Sequence, residues 1–356
     1  MTFKALSSPY ELGSLKLKNR IVMPPMVIWA SDESGEVKQA HLDHYAEHKG
    51  PGLIIVEATT VSPEGRLRET QLGIFDDRHL EGLRSLADTI KSGGAAAGIQ
   101  IHHAGGKATP EITYGRTPLV PSKEGYPADK VCAELEESDI RRIIGDFAAG
   151  ARRAVLAGFQ LIELHGAHGY LGCQFLSPLT NKRTDRYGGS LENRQRFLLE
   201  LYREVAAAVG GKAMVTYRLG VAEEPGLPID EGLATVCRLA DAGMPLVHAS
   251  NAHSVPESLA LADGRFSPVM NLGIRVRRET ALPTIGVGGI LDPAMAEILI
   301  AENLVDLVAV GRSLLADSQW AFKTLAGRSG EIIPCRRCKP CRWFKDPALC
   351  PARRAV

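Results

Sequence analysis

Residues 159–197 read FQLIELHGAHGYLGCQFLSPLTNKRTDRYGGSLENRQRF. The apolar run Phe159–Leu164 has the length and composition of a buried strand, and Ser190 stands where a charged amphipathic helix begins. Between them lie two histidines three apart, His165 and His168, with Tyr170 two residues further on among glycines. Buried strands usually end in turn chemistry. A cluster of proton-transfer side chains at a strand end instead marks a candidate active-site wall.

The same strand-then-helix unit recurs in both directions. Strands are expected at Arg20–Met26, Leu53–Val61, Ala95–His102, Phe159–His165, Ala213–Leu219, Leu246–Ser250, Thr284–Val287 and Leu304–Val310. Their near-continuous apolar character suits strands of a parallel sheet covered on both faces. Helices are expected at Gln39–Lys49, Arg78–Ser92, Ser138–Ala157, Ser190–Val209, Asp230–Ala242, Asn271–Thr280, Pro293–Glu302 and Ser318–Ala326. Ser138, Ser190 and Asp292 are read as caps, with Pro293 at the first helical position. Gly93–Gly94, Gly158, Gly210–Gly211 and Gly243 are read as helix ends. Eight such pairs are the count of an α/β (β/α)8 TIM barrel. A doubly wound sheet would carry a glycine-rich turn after its first strand; here that strand leads into Met23-Pro24-Pro25-Met26. A short hairpin around Gly13–Ser14 is expected to close the barrel bottom, and the weakly periodic stretch Ala104–Glu134 has the size of a lid or binding loop. The expected organisation is a barrel over residues 1–330 and a cysteine-rich segment over 331–356.

Composition narrows the function classes. The 356 residues carry 42 basic against 41 acidic side chains, so no global field favours nucleic acid or an anionic membrane. No apolar run approaches the ~20 residues that span a bilayer, and MTFKALSSPYELG lacks the apolar core of a signal peptide. The expectation is a cytoplasmic enzyme, a homo-oligomer by default, acting on a small-molecule substrate.

A barrel places its chemistry at the C-terminal ends of its strands. Strand one ends in Pro24-Pro25-Met26-Val27, a rigid shelf for a flat ligand or a plain terminator. Strand two offers the small Ala58, and strand three ends in Gln100-Ile101-His102-His103, where Gln100 has a donor and an acceptor for an amide-like edge. On strand four, His165 and His168 suit two N–H donors to a substrate oxygen, and Tyr170 a proton donor to the neighbouring carbon. Arg218 ends strand five, where burial demands an anion or an electron-rich ring. His253 follows strand six. Gly288, Gly289, Gly311 and Arg312 end strands seven and eight, the usual phosphate site of a barrel.

Four of the seven cysteines, Cys335, Cys338, Cys341 and Cys350, sit close together near the C-terminus. In a chain without a secretory signal this spacing reads as ligation of a metal or cluster, iron–sulfur or zinc.

With these residues in view, the sequence resembles the Old Yellow Enzyme family of flavin oxidoreductases over residues 5–330. HGAHGYL, FLSP, TNKRTD, YGGS and ENRxRF stand in the family's order and spacing between His165 and Phe197. The resemblance implies FMN in a (β/α)8 barrel. Pro24, Pro25, Met26 and Ala58 would shelve the isoalloxazine, Gln100 and Arg218 would hold its pyrimidine and N1/C2 edges, and Gly288, Gly289, Gly311 and Arg312 would hold the phosphate. It implies His165 and His168 as anchors of an electron-withdrawing group and Tyr170 as general acid in reduction of an activated alkene. The cysteine tail is similar to that of the 2,4-dienoyl-CoA reductase / trimethylamine dehydrogenase branch, which implies a 4Fe-4S cluster on Cys335, Cys338, Cys341 and Cys350. His253 lies near the branch's second acid.

The sequence departs from the family at three points. Val27 stands where many relatives have Thr or Cys, Gly106 replaces the arginine of an HAGR motif, and the last cysteine gap is short. Larger members continue into nucleotide-binding domains, whereas this sequence ends at Val356. A separate electron-transfer protein, or NAD(P)H acting directly on FMN, is therefore the expected electron source. Arg336, Arg337, Lys339, Arg342, Arg353 and Arg354 make the tail basic, a solvated face or a dock for an acidic redox partner or a CoA phosphate. Two rival functions use the same parts. One is amine oxidation or demethylation, with Trp29, Tyr114 and Tyr126 as scattered candidates for an aromatic bowl. The other is a flavin and iron–sulfur electron carrier without small-molecule turnover.

Overall fold

Eight parallel strands close on themselves. The computed structural model describes residues 3–254 and 264–353. A small antiparallel hairpin, β1 (Tyr10–Leu12) and β2 (Leu15–Leu17), comes first. The barrel strands follow: β3 (Ile21–Met23), β4 (Leu53–Thr60), β5 (Ala96–His102), β8 (Leu161–Gly166), β9 (Met214–Gly220), β10 (Val247–Ser250), β11 (Thr284–Val287) and β12 (Leu307–Ala309). The ring closes where β12 pairs with β3, Val308 beside Ile21. This is the (β/α)8 barrel expected from the sequence, and the helix sites also agree: α1 (Gln39–Glu47), α2 (Leu80–Ser92), α3 (Glu137–Ala157), α5 (Leu191–Val209), α6 (Ile229–Asp241), α7 (Pro268–Thr280), α8 (Pro293–Ala301) and α10 (Trp320–Leu325).

The two-residue period of each strand sorts its side chains. On β8, Ile162 and Leu164 face the helices, while Leu161 packs in the interior cluster with Val22, Leu53, Ile55, Met214, Ile285 and Leu307. Leu15 and Leu17 of the hairpin join that interior cluster. The hairpin is thus an apolar plug in the barrel bottom, as its Leu-Lys-Leu alternation suggests.

Caps follow the sequence in part. Ser190 accepts from the Asn193 amide and Asp292 from the Ala294 amide. Helix α3 instead has its N-cap two residues before the expected Ser138: Glu136 is the N-cap, and the Asp139 carboxylate accepts from the Glu136 amide, closing a capping box. Two short helices escaped the periodicity, α4 (Leu171–Leu176) and α9 (Arg312–Ala316); both are under two turns, too short for a hydrophobic repeat. The long segment after β5 holds two 3₁₀ turns and a two-strand ladder, β6 (Leu119–Val120) with β7 (Ala133–Glu134).

Leu15 is fully enclosed by the interior cluster. Leu15→Ala should therefore cost about 2–5 kcal/mol, read as a lower urea midpoint with an unchanged slope. A loss under about 0.5 kcal/mol, the range of ordinary surface positions, would show that the hairpin does not plug the barrel.

Candidate active site

Above the apolar layer the barrel interior turns polar. Gln100 on β5, Glu163 on β8 and His248 on β10 are all buried. The Glu163 carboxylate accepts from Gln100 Nε2 at 2.8 Å and meets His248 Nδ1 at 2.7 Å. Strand register sets Gln100 beside Glu163, His165 beside Arg218, and Arg218 beside His248. Burial holds the His248 imidazole below its ordinary range, with Glu163 opposing.

One step further along the strands is the rim. His165 is buried at the end of β8, and its Nδ1 accepts the Ala167 amide, so the proton sits on Nε2. His168 takes a left-handed backbone, φ 58°, and its Nε2 meets Ser250 Oγ at 2.9 Å. Gly169, φ 72°, completes the turn; a Cβ there would come within 2.4 Å of the His253 ring. The turn folds Tyr170 back onto the histidines, with ring centroids 4.8 Å from His165 and 6.4 Å from His168. Burial holds both histidines well below their usual range, so they are neutral at pH 7. Burial also pushes the Tyr170 phenol up to about 12, with Arg218 opposing. The trio therefore presents neutral N–H donors beside a protonated phenol. His253 stands behind Gly169, held by Glu223, which Ser177 also bonds. Burial raises the Glu223 carboxyl, but the hydrogen bonds from His253 and Ser177 outweigh it and leave the group below its usual value.

The motif after Tyr170 is scaffold. Asn181 donates to the carbonyls of Phe175 and Tyr187, Arg183 to those of Pro121 and Leu135, and Arg194 to that of Leu176. These bonds tie α4 and the long segment to the barrel.

Across the barrel mouth, Pro24, Met26, Arg218, Gly288, Gly289, Gly311 and Arg312 line one cavity of about 170 Å³. Arg218 Nε is buried there without a hydrogen-bond partner among the described residues, the mark of a guanidinium shaped for a further acceptor. Gly288 and Gly289 have φ of 115° and 74°, and a Cβ on Gly288 would reach Ser267 Oγ at 2.9 Å, so a backbone approach needs glycine. These features fit a flavin mononucleotide.

A family model described as NADH:flavin oxidoreductase / NADH oxidase matches residues 5–331. The chain belongs to that family. A NADH oxidase from Thermoanaerobacter brockii is 40% identical over 346 residues, 94% of this chain and 53% of the relative. A NADPH dehydrogenase from Geobacillus thermodenitrificans is 41% identical over 320 residues, 89% of this chain and 92% of the relative. Among solved structures, a 2-naphthoyl-CoA reductase in complex with 2-naphthoyl-CoA aligns with a TM-score of 0.89 at 25% identity, covering 98% of this chain and 56% of that one. The chain thus spans about half the length of the first and the last of these proteins.

Three of the residues expected at the flavin lie outside the cavity lining. Pro25 is buried, the Ala58 carbonyl accepts from Gln71, and the Gln100 amide donates to Glu163. Two departures from the family pattern have structural counterparts. Gly106 lies under Tyr126 of the long segment, where a Cβ would meet the ring at 2.5 Å. The Val27 carbonyl accepts from Trp343 Nε1 at 3.4 Å.

The four thiols of the tail are free and line one small cavity with Arg312, Arg336, Arg342 and Trp343. Among the described residues only His44, Glu47 and His48 form a group of three or more such ligands within 4.8 Å of one another, so no three of the thiols come that close together. That histidine–glutamate group is already engaged: Arg353 takes Glu47 at 2.6 Å, and both His48 nitrogens face carbonyls. Arg336, Arg337, Lys339 and Arg342 are exposed, Arg353 is tied down, and Arg354 lies outside the described residues.

Sequence reasoning missed Lys107, Glu223 and Glu57. Lys107 Nζ donates to the His168 carbonyl at 2.6 Å and sits 5.1 Å from the Tyr170 ring centre. Only the family spacing of His103–Lys107 hinted at it. Glu57, at an irregular step of β4, accepts the Ile28 amide behind the Pro24–Met26 shelf.

Burial raises Glu57 to about 8, against ~4.3 in an unfolded chain. Between those values the folded chain keeps a proton that the unfolded chain has lost. The stability this group contributes is therefore full at low pH and is lost as pH rises through about 8. Glu57→Gln, which retains an acceptor for Ile28, should gain stability over the parent between roughly pH 5 and pH 9, measured by urea midpoints. Parallel curves for the two proteins would rule the ionisation out.

Proposed function

We propose that the chain is an FMN-dependent oxidoreductase that reduces the C=C bond of an activated alkene, an enone, enoate or dienoate. The observation that carries this reading is the neutral His165–His168–Tyr170 cluster at the end of β8, beside a cavity lined by an arginine whose buried Nε has no hydrogen-bond partner among the described residues. His165 Nε2–H and the His168 ring hold the substrate's carbonyl oxygen, and both stay neutral because burial disfavours their charged forms. A phenol near 12 is fully protonated at pH 7, so Tyr170 gives its proton to the α-carbon as charge develops there. His253, oriented by Glu223 and Ser177, borders the same turn and serves as the second acid. Arg218 holds the electron-rich edge of the cofactor, and Arg312 with Gly288, Gly289 and Gly311 holds its phosphate. When bound, FMN supplies a hydride to the β-carbon after reduction by NAD(P)H or by a protein donor.

We also propose that Cys335, Cys338, Cys341 and Cys350 ligate a 4Fe-4S cluster. Around a tetrahedral zinc, with bonds of about 2.3 Å, sulfur atoms sit roughly 3.8 Å apart. No three of the four thiols around their shared cavity lie within 4.8 Å of one another, an arrangement that suits a group larger than one zinc ion. When bound, such a cluster supplies one-electron transfer.

Protein purified without oxygen should show flavin and iron–sulfur absorption together. In Tyr170→Phe, alkene turnover should fall about 10²–10⁴-fold while NAD(P)H still bleaches the flavin. Undiminished turnover would remove Tyr170 from the acid role.

A further inference from the structure

We propose that the cysteine-rich segment is a wall of the flavin cavity, so that the group held by its four thiols governs how tightly the chain retains its nucleotide. The proposal rests on the reading above, FMN in the barrel mouth and a metal centre on the thiols.

Three contacts carry it. Phe344, from the turn after Cys341, lines the same cavity as Arg218 and Arg312. Arg312 lines both that cavity and the one formed by the thiols, so a single guanidinium borders both. Met26 of the shelf packs in one apolar cluster with Trp343, Cys341 and Cys350.

The segment has little to hold it in this shape by itself. Its regular structure between Cys335 and Cys350 is two 3₁₀ turns of three residues each, Arg342–Phe344 and Pro347–Leu349. Its apolar cluster has three buried members, Ile28, Leu315 and Trp343. Ordering costs about 1–2 kcal/mol per residue, more than so small a core returns. Four thiolate bonds make up the difference, because the binding energy of a structural metal centre is folding energy. When that group is lost, Phe344 leaves the cavity wall and Arg312 loses one of its two boundaries. Coupling of this kind is reciprocal: FMN tightens the segment as the segment tightens FMN. The match of the family model ends at residue 331, before the first of these cysteines, so the wall is an addition to the barrel.

The test titrates FMN into anaerobically prepared, flavin-free protein by fluorescence quenching, with iron content measured on the same samples. Phe344 is 39% exposed, so Phe344→Ala should leave the barrel folded. It should keep its iron and bind FMN about tenfold more weakly, as expected if a half-exposed ring becomes covered by the bound nucleotide. Cys338→Ser should lose iron and weaken FMN by at least as much. The double variant should be no worse than Cys338→Ser, because both act through one wall. An iron-free Cys338→Ser with parental FMN affinity would overturn the coupling, as would a Phe344→Ala indistinguishable from the parent. A parent protein that takes up no FMN would instead overturn the reading on which the proposal stands, and the proposal with it.

Discussion

The Glu163 carboxylate is the interaction on which the rest of the site depends. It sits inside the barrel at the level where the interior changes from apolar to polar, and its two oxygens meet Gln100 and His248 from the strands β5 and β10. A buried carboxylate without partners would cost several kcal/mol, and breaking such a pair by removing one member costs about 3–5. The pairing therefore fixes the relative heights of three strands. That height determines where the next side chains emerge: His102 above Gln100, His165 above Glu163 and Ser250 above His248, each two residues further along. Ser250 in turn meets His168.

The tail is tied to the same frame from outside. Arg353 reaches Glu47 on α1 and the Leu315 carbonyl after β12, and its guanidinium lies 4.9 Å from the Trp343 ring centre. Trp343 bonds the Val27 carbonyl directly after the shelf. A position where many relatives place a polar side chain is thus met here through its backbone, by a residue outside the family's matched region.

The fold was legible because parallel strands announce themselves as short apolar runs between capped helices, and each expected strand overlaps an observed one. The rim residues His165, His168 and Tyr170 were legible for a related reason: polar groups at a strand's end interrupt an otherwise apolar text. Gln100 shows the limit. Its amide suited a heterocycle edge, and its Nε2 also donates to Glu163, a partner on another strand that no local pattern links to it. Glu223 and Lys107 were hidden in the same way, since each gains meaning only from a residue far away in sequence, His253 and Tyr170 respectively. Phe344 was the least legible of all, because a cysteine-rich stretch lacks the periodicity that would have assigned its phenylalanine to the barrel mouth.

The charges that result also bear on the rival reading of amine oxidation. A cationic amine needs an anion or an open aromatic face. Glu163 is spent on Gln100 and His248, Glu223 on His253 and Ser177, and burial raises Glu57 to about 8. The aromatic faces are taken as well: Arg68 lies 5.1 Å from the Trp29 ring centre, Arg66 lies 5.3 Å from that of Tyr114, and Tyr126 packs on Gly106. What lines the cavity at the barrel mouth includes Arg218 and Arg312, and beside Arg218 stands the neutral His165 with its proton on Nε2. In the proposed function such a surface would stabilise negative charge, on a phosphate at one end and on a developing enolate oxygen at the other. That charge pattern is what the proposed alkene reduction asks of the site, with Tyr170 as the proposed proton donor to the carbon beside that oxygen.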